Sequence, residues 1–129
     1  MMSIELQELQ EIAARAESDT VEFKASTAQL PRAGETLCGM LNGQGGIVLI
    51  GVSPAGKLSG QDVSDSTQQE IARMLVRYEP PAPVEQRIVS LPDSSRSIIL
   101  FAVPSGSDGT PYSYDGRAYQ RIATTTSRM

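Results

Sequence analysis

The sequence contains no histidine, an absence that excludes more chemistry than any other feature of its composition. Without imidazole there is no Ser-His-Asp or Cys-His machinery, no histidine general base and no histidine-ligated zinc. The single cysteine, Cys38, permits neither an internal disulfide nor a cysteine-cluster zinc site. It lies on an apolar helical face and reads as a small buried hydrophobe. Any metal would have to be held by oxygen ligands, which favours Mg²⁺ or Mn²⁺. No apolar run approaches the roughly 18 residues of a membrane span, so no membrane partner is expected. The acidic, polar start does not have the make-up of a signal or transit peptide, and a cytoplasmic location is the expectation. Positive charge is also short. The net charge of −4 is unfavourable for indiscriminate nucleic-acid binding.

What charge there is, is unevenly placed. Residues 1–22 hold six acids and one base, whereas residues 117–129 hold Arg117, Arg121 and Arg128 and no acid. An acidic start and a basic end allow a local anionic partner despite the overall sign. The length of 129 residues fits one domain, 1–129, with a real core. No internal repeat or low-complexity tract interrupts it.

The chain is organised around LCGMLNGQGGIVLIGVSPAGKLSG, Leu37 to Gly60. Leu30, Ala33, Leu37, Cys38 and Leu41 recur at three- and four-residue steps and line one helical face. Asn42-Gly43 is expected to stop that helix through a left-handed glycine, with Gly45-Gly46 completing the turn. Ile47 to Ile50 is apolar on both faces, which predicts a central strand covered on both sides. Pro54-Ala55-Gly56 then turns the chain towards Leu58. The order helix, glycine turn, strand is the reverse of a phosphate-binding loop, and no Gly-Lys-Ser/Thr follows. The glycines therefore read as a structural turn made by Asn42, Gly45 and Gly46.

Around this centre, residues 3–16 read as an amphipathic helix capped by Ser3. Thr20 to Lys24 alternates as a half-buried strand, with Glu22 and Lys24 on one face. Residues 64–78 form a helix capped by Ser64 or Asp65, with Ile71, Met74, Leu75 and Tyr78 as its buried stripe. Two strands follow, Val84–Leu91 and Ser97–Val103, joined by the turn Pro92-Asp93-Ser94-Ser95. After a Gly/Ser/Asp loop, Asp115-Gly116 signals a hairpin. Its return strand carries Arg117, Tyr119 and Arg121 on one face, and residues 124–129 are expected to fray. The expectation is an α+β fold: a mixed sheet with a covered central strand, about three flanking helices and a C-terminal β-hairpin.

Two constellations carry chemistry. Glu17 and Glu22 lie five residues apart at the mouth of a strand, where two carboxylates can hold a divalent ion or form an acid/base pair. The alternative is a structural acid paired with Lys24. In the hairpin, tyrosines interleaved with arginines can stack bases and contact phosphates. The alternative there is a half-exposed hairpin with cross-strand tyrosine packing.

Taken in order, ExxxxEFK, a helix ending in N-x-x-GG, the strand IVLIGV, G-x-x-x-G, P-Y and Y-x-R-x-x-T resemble the Schlafen/AlbA-type DNA-binding domain of RecG-related proteins and transcriptional regulators. The matching positions include Glu17, Glu22, Lys24, Asn42, Gly45, Gly46, Tyr119, Arg121, Thr124 and Thr126. The resemblance implies nucleic-acid binding; together with the basic, aromatic hairpin it makes Lys24, Arg117, Tyr119 and Arg121 the expected contacts, and no cofactor is expected. It leaves open a homo-oligomer and a further C-terminal domain. Some Schlafen relatives cleave RNA with three metal-holding acids. Two would fall on Glu17 and Glu22, with Mg²⁺ or Mn²⁺ as the ion. The third is missing, because relatives read G-V-x-D where this chain has Gly51-Val52-Ser53-Pro54. Ala123 stands where relatives often carry glycine. A nuclease and a protein-interaction domain are the two rival readings.

Overall fold

The computed structural model describes residues 4–92, 94–106, 109 and 111–129. Ser3 and Asp93, read above as a cap and a turn residue, lie outside them. The elements run α1 (Ile4–Ala14), β1 (Val21–Lys24), α2 (Leu30–Leu41), β2 (Gly46–Ile50), α3 (Asp65–Leu75), β3 (Tyr78–Glu79), β4 (Glu85–Ser90), β5 (Ser97–Val103), β6 (Ser113–Tyr114), β7 (Arg117–Ile122) and β8 (Thr125–Arg128). The fold is α+β, with two four-stranded sheets ordered β1-β2-β5-β4 and β3-β6-β7-β8.

The first sheet is mixed: β1 runs parallel to β2, and β5 is antiparallel to both its neighbours. Its alternation sorts side chains to two faces. Leu49, Ile98 and Leu100 join Leu9, Ile12 and Ala13 of α1 on one face. Val48, Ile50, Ile99 and Phe101 join α2 and α3 on the other. The central strand is therefore covered on both sides, as its unbroken apolar run requires.

Helix α2 is the pivot of the molecule. Nine of its twelve residues are buried, because the second sheet packs on the side that the first leaves free. Two helical glycines permit this approach. A Cβ on Gly34 would lie 2.4 Å from the Tyr114 ring, and one on Gly39 would lie 3.0 Å from the Gln120 backbone. Helix α3 starts at Ser64 in a capping box: the Ser64 hydroxyl accepts from the Thr67 amide, and Thr67 bonds back to Ser64.

The structure departs from the sequence reading at three places. The left-handed glycine after α2 is Gly45, at φ 79, not Gly43. A Cβ there would lie 2.7 Å from the Val103 carbonyl, and one on Gly46 would lie 2.8 Å from the Thr20 carbonyl, so the turn is pressed between β1 and β5. Tyr78 belongs to β3 rather than to α3, which ends at Leu75. The basic hairpin forms as expected, β6 pairing with β7, and β3 and β8 extend it to four strands. Residues 125–128, expected to fray, are strand β8, in register with β7 from Ile122–Thr125 to Tyr119–Arg128. Ala123, in the left-handed region at φ 52, makes that last turn, a conformation that glycine adopts more readily than alanine.

Candidate nucleic-acid interface

The period-2 face of β7 separates in space. Arg117, at the hairpin mouth, is exposed, whereas Tyr119 is buried against α2. The Arg121 side chain is only 3% exposed. Its Nη2 donates to Glu22 Oε1 at 2.6 Å and to the Ser18 carbonyl at 2.9 Å. Its Nη1 donates to the Thr124 carbonyl at 3.1 Å and to Thr126 Oγ1 at 3.2 Å. Only Nε lacks a partner. Arg121 thus ties β7 and the β7–β8 turn to the start of β1. Thr126 also shares a 3.0 Å hydroxyl contact with Thr36 on α2.

Glu22 stands at the centre of this network. Lys24 Nζ lies 2.9 Å from Glu22 Oε2, opposite Arg121. Burial pushes the Glu22 carboxyl up, but hydrogen bonds and charge from Lys24 and Arg121 outweigh it and hold the group below the usual 4.5. Glu17 is half-buried beside it, and its carboxyl is raised above 4.5 by burial, then by the charge of Glu22 and a hydrogen bond to it. The pair seen in the sequence is therefore a pair in space, and its members are pushed in opposite directions.

A divalent ion does not fit these residues. Both Glu22 oxygens already carry cationic partners, and among the described residues no three acidic or thiol side chains converge. Pro54, where the resemblance would place the third acid, offers no carboxylate.

Asn42, at the end of α2, ties the helix to the hairpin through its side chain. Its Nδ2 donates to the Tyr112 and Tyr119 carbonyls at 3.0 and 2.9 Å, and its Oδ1 accepts from the Tyr112 amide at 2.7 Å. One side chain at the end of α2 thereby pins both the approach to the hairpin and its return strand. Buried Cys38 donates to the Tyr112 carbonyl at 3.3 Å, and burial raises its thiol.

Sequence reasoning missed a groove of about 720 Å³ between α2, α3 and the hairpin. It missed too that Arg73 and Arg77 of the α3 end face the hairpin across it. Arg77 Nη1 pairs with Asp115 Oδ1 at 3.0 Å. The helical spacing alone places Arg73 and Arg77 together, but nothing in the sequence brings them to Arg117. Among the described residues no helix is long and apolar enough to cross a membrane.

A small α+β domain whose central helix is clasped by a basic C-terminal sheet, locked by an internal Glu-Arg-Lys network, defines the class. The chain belongs to the Schlafen, AlbA_2 family, which it matches over residues 17–129. Its fold is similar to that of the DIP2311 protein from Corynebacterium diphtheriae, with a TM-score of 0.61 over 96% of this chain and 14% sequence identity. This chain spans 26% of that one, and at such identity the likeness is one of fold. No curated protein matches the chain.

Proposed function

We propose that this domain is a nucleic-acid-binding module of a transcription-regulator-type protein in the cytoplasm. The observation that carries the reading is the presence of exposed arginines without acidic partners on the C-terminal sheet. Helix α1, with exposed Glu5, Glu8 and Glu11, covers one face of the first sheet. The C-terminal sheet, with exposed Arg117 and Arg128, lies beyond α2 on the other. Neither arginine makes an ion pair or side-chain hydrogen bond among the described residues. A net-acidic protein can attract a polyanion locally where exposed bases have no acidic partner.

The four residues proposed as contacts take different parts. Arg117 reaches the phosphate directly. Arg121 and Lys24 hold the sheet in place through Glu22, and Tyr119 forms the floor beneath Arg117. The family match supports the reading, since the domain is compatible with nucleic-acid binding. The test is fluorescence anisotropy with labelled single- and double-stranded DNA and RNA at 50–200 mM salt. Dissociation constants of about 10⁻⁶–10⁻⁴ M that weaken steeply with salt support it. Absence of binding at the lowest salt refutes it.

A further inference from the structure

The groove between α2, α3 and the hairpin carries six charged side chains of balanced sign. Arg77 and Asp115 neutralise each other. That leaves two arginines, Arg73 and Arg117, and two glutamates, Glu35 and Glu70, with no ion pair among the described residues. The floor includes the rings of Tyr114 and Tyr119, 6% and 8% exposed. Neighbouring Tyr78 donates its hydroxyl to the Gly34 carbonyl at 2.9 Å. Tyr114 and Tyr119 have buried rings, and their hydroxyls, which have no protein partner among the described residues, open to the groove. Burial raises the Tyr114 hydroxyl first of all, so it stays a protonated donor.

Hydroxyls that open to a groove and have no protein partner are free to donate to, or accept from, a ligand. A bare polyphosphate would gain from the arginines and be repelled by the glutamates. A nucleotide presents both a phosphate and a base edge rich in N–H donors, and so meets every free group in the groove. The volume of about 720 Å³ accommodates a unit or two of a strand, but a duplex buries the base edges that the carboxylates need.

We propose that this groove seats a single-stranded segment of nucleic acid, with phosphate on Arg73 and Arg117 and the Watson–Crick edge of one base on Glu35, Glu70 and the tyrosine hydroxyls. The proposal rests on the nucleic-acid reading above and gives it a location and a preference. A carboxylate accepts from the amino groups of cytosine, adenine and guanine. Thymine and uracil offer one N–H flanked by two carbonyl oxygens that face a carboxylate with like charge. The groove therefore disfavours thymine and uracil.

The test compares labelled single-stranded dC, dA and dT decamers and a duplex, using the wild-type chain, Arg73→Ala/Arg117→Ala and Glu35→Gln/Glu70→Gln, each checked for an unchanged melting temperature. The expected results are a single-strand preference and about tenfold weaker binding of dT, the scale of one good base contact. The arginine pair should weaken all strands alike and reduce the salt slope by about 1.4, from about 0.7 per phosphate contact on single strands. The glutamine pair should bring dT level with dC. Amide shifts on adding dC should centre on Arg73, Arg117 and Tyr119. Binding that survives the arginine pair unchanged, or shifts confined to other surfaces, overturns the groove and leaves the general reading standing. Loss of all binding by the wild-type chain overturns both.

Discussion

Replacing Arg121 with methionine keeps an unbranched apolar stem and removes the guanidinium. Glu22 would then remain buried with Lys24 as its one cationic partner, its side chain only 9% exposed. The Ser18 and Thr124 carbonyls would each lose a donor. Breaking one side of a buried ion pair costs about 3–5 kcal/mol, since the remaining charge stays desolvated. For a chain of 129 residues the unfolding entropy at the midpoint is about 0.27 kcal/mol/K, so each kcal/mol moves the midpoint by about 4 °C. Arg121→Met should therefore melt about 10–20 °C lower and lose about 3–5 kcal/mol in urea. Glu22→Gln/Arg121→Met removes the stranded charge as well. It should lose less than the two single changes together, with a coupling of about 1–3 kcal/mol. A single-variant loss under about 1 kcal/mol, or additive losses, would show that the network does not brace the C-terminal sheet.

Three further outcomes follow from the same geometry. Glu17 is raised in the fold, so its contribution is present below 4.5 and lost as pH rises past its folded value. Glu17→Gln should thus stabilise at pH 7 by about 0.5 kcal/mol after solvent screening, with the gain vanishing by about pH 4 in urea titrations. Asn42→Ala strands the Tyr112 amide and two carbonyls and should cost about 2–4 kcal/mol, read by the same unfolding curves. Millimolar Mn²⁺ should leave the melting temperature within about 1 °C, because Glu22 is occupied by Lys24 and Arg121; a rise of several degrees would reveal a binding site.

The elements and their burial were largely legible because each rests on a local rule. The run IVLI marks a doubly covered strand, Ser64 a cap, and Asp115-Gly116 a hairpin. The side to which β7 turns was not legible. Its period places Arg117, Tyr119 and Arg121 on one face, but only the packing of β7 on Gly39 of α2 decides that Tyr119 and Arg121 are covered while Arg117 stays open. Arg121 meets Glu22 across 99 positions of sequence, and no local pattern announces that contact. The same holds for β8. Thr125 to Arg128 is polar and reads as a tail, and it becomes a strand because β7 offers it an edge. Of the candidate site, the sequence indicated the residues and their chemistry but not which of them brace and which reach outward.

That division of labour can be tested with one series: the logarithm of affinity for a single strand against the logarithm of salt concentration, for the wild-type chain and Arg117→Ala. Arg117 makes no ion pair or side-chain hydrogen bond among the described residues, so its removal should leave the melting temperature unchanged. The slope should become shallower by about 0.7, the contribution of one phosphate contact on a single strand. An unchanged slope and affinity would contradict the assignment of the hairpin as the nucleic-acid face.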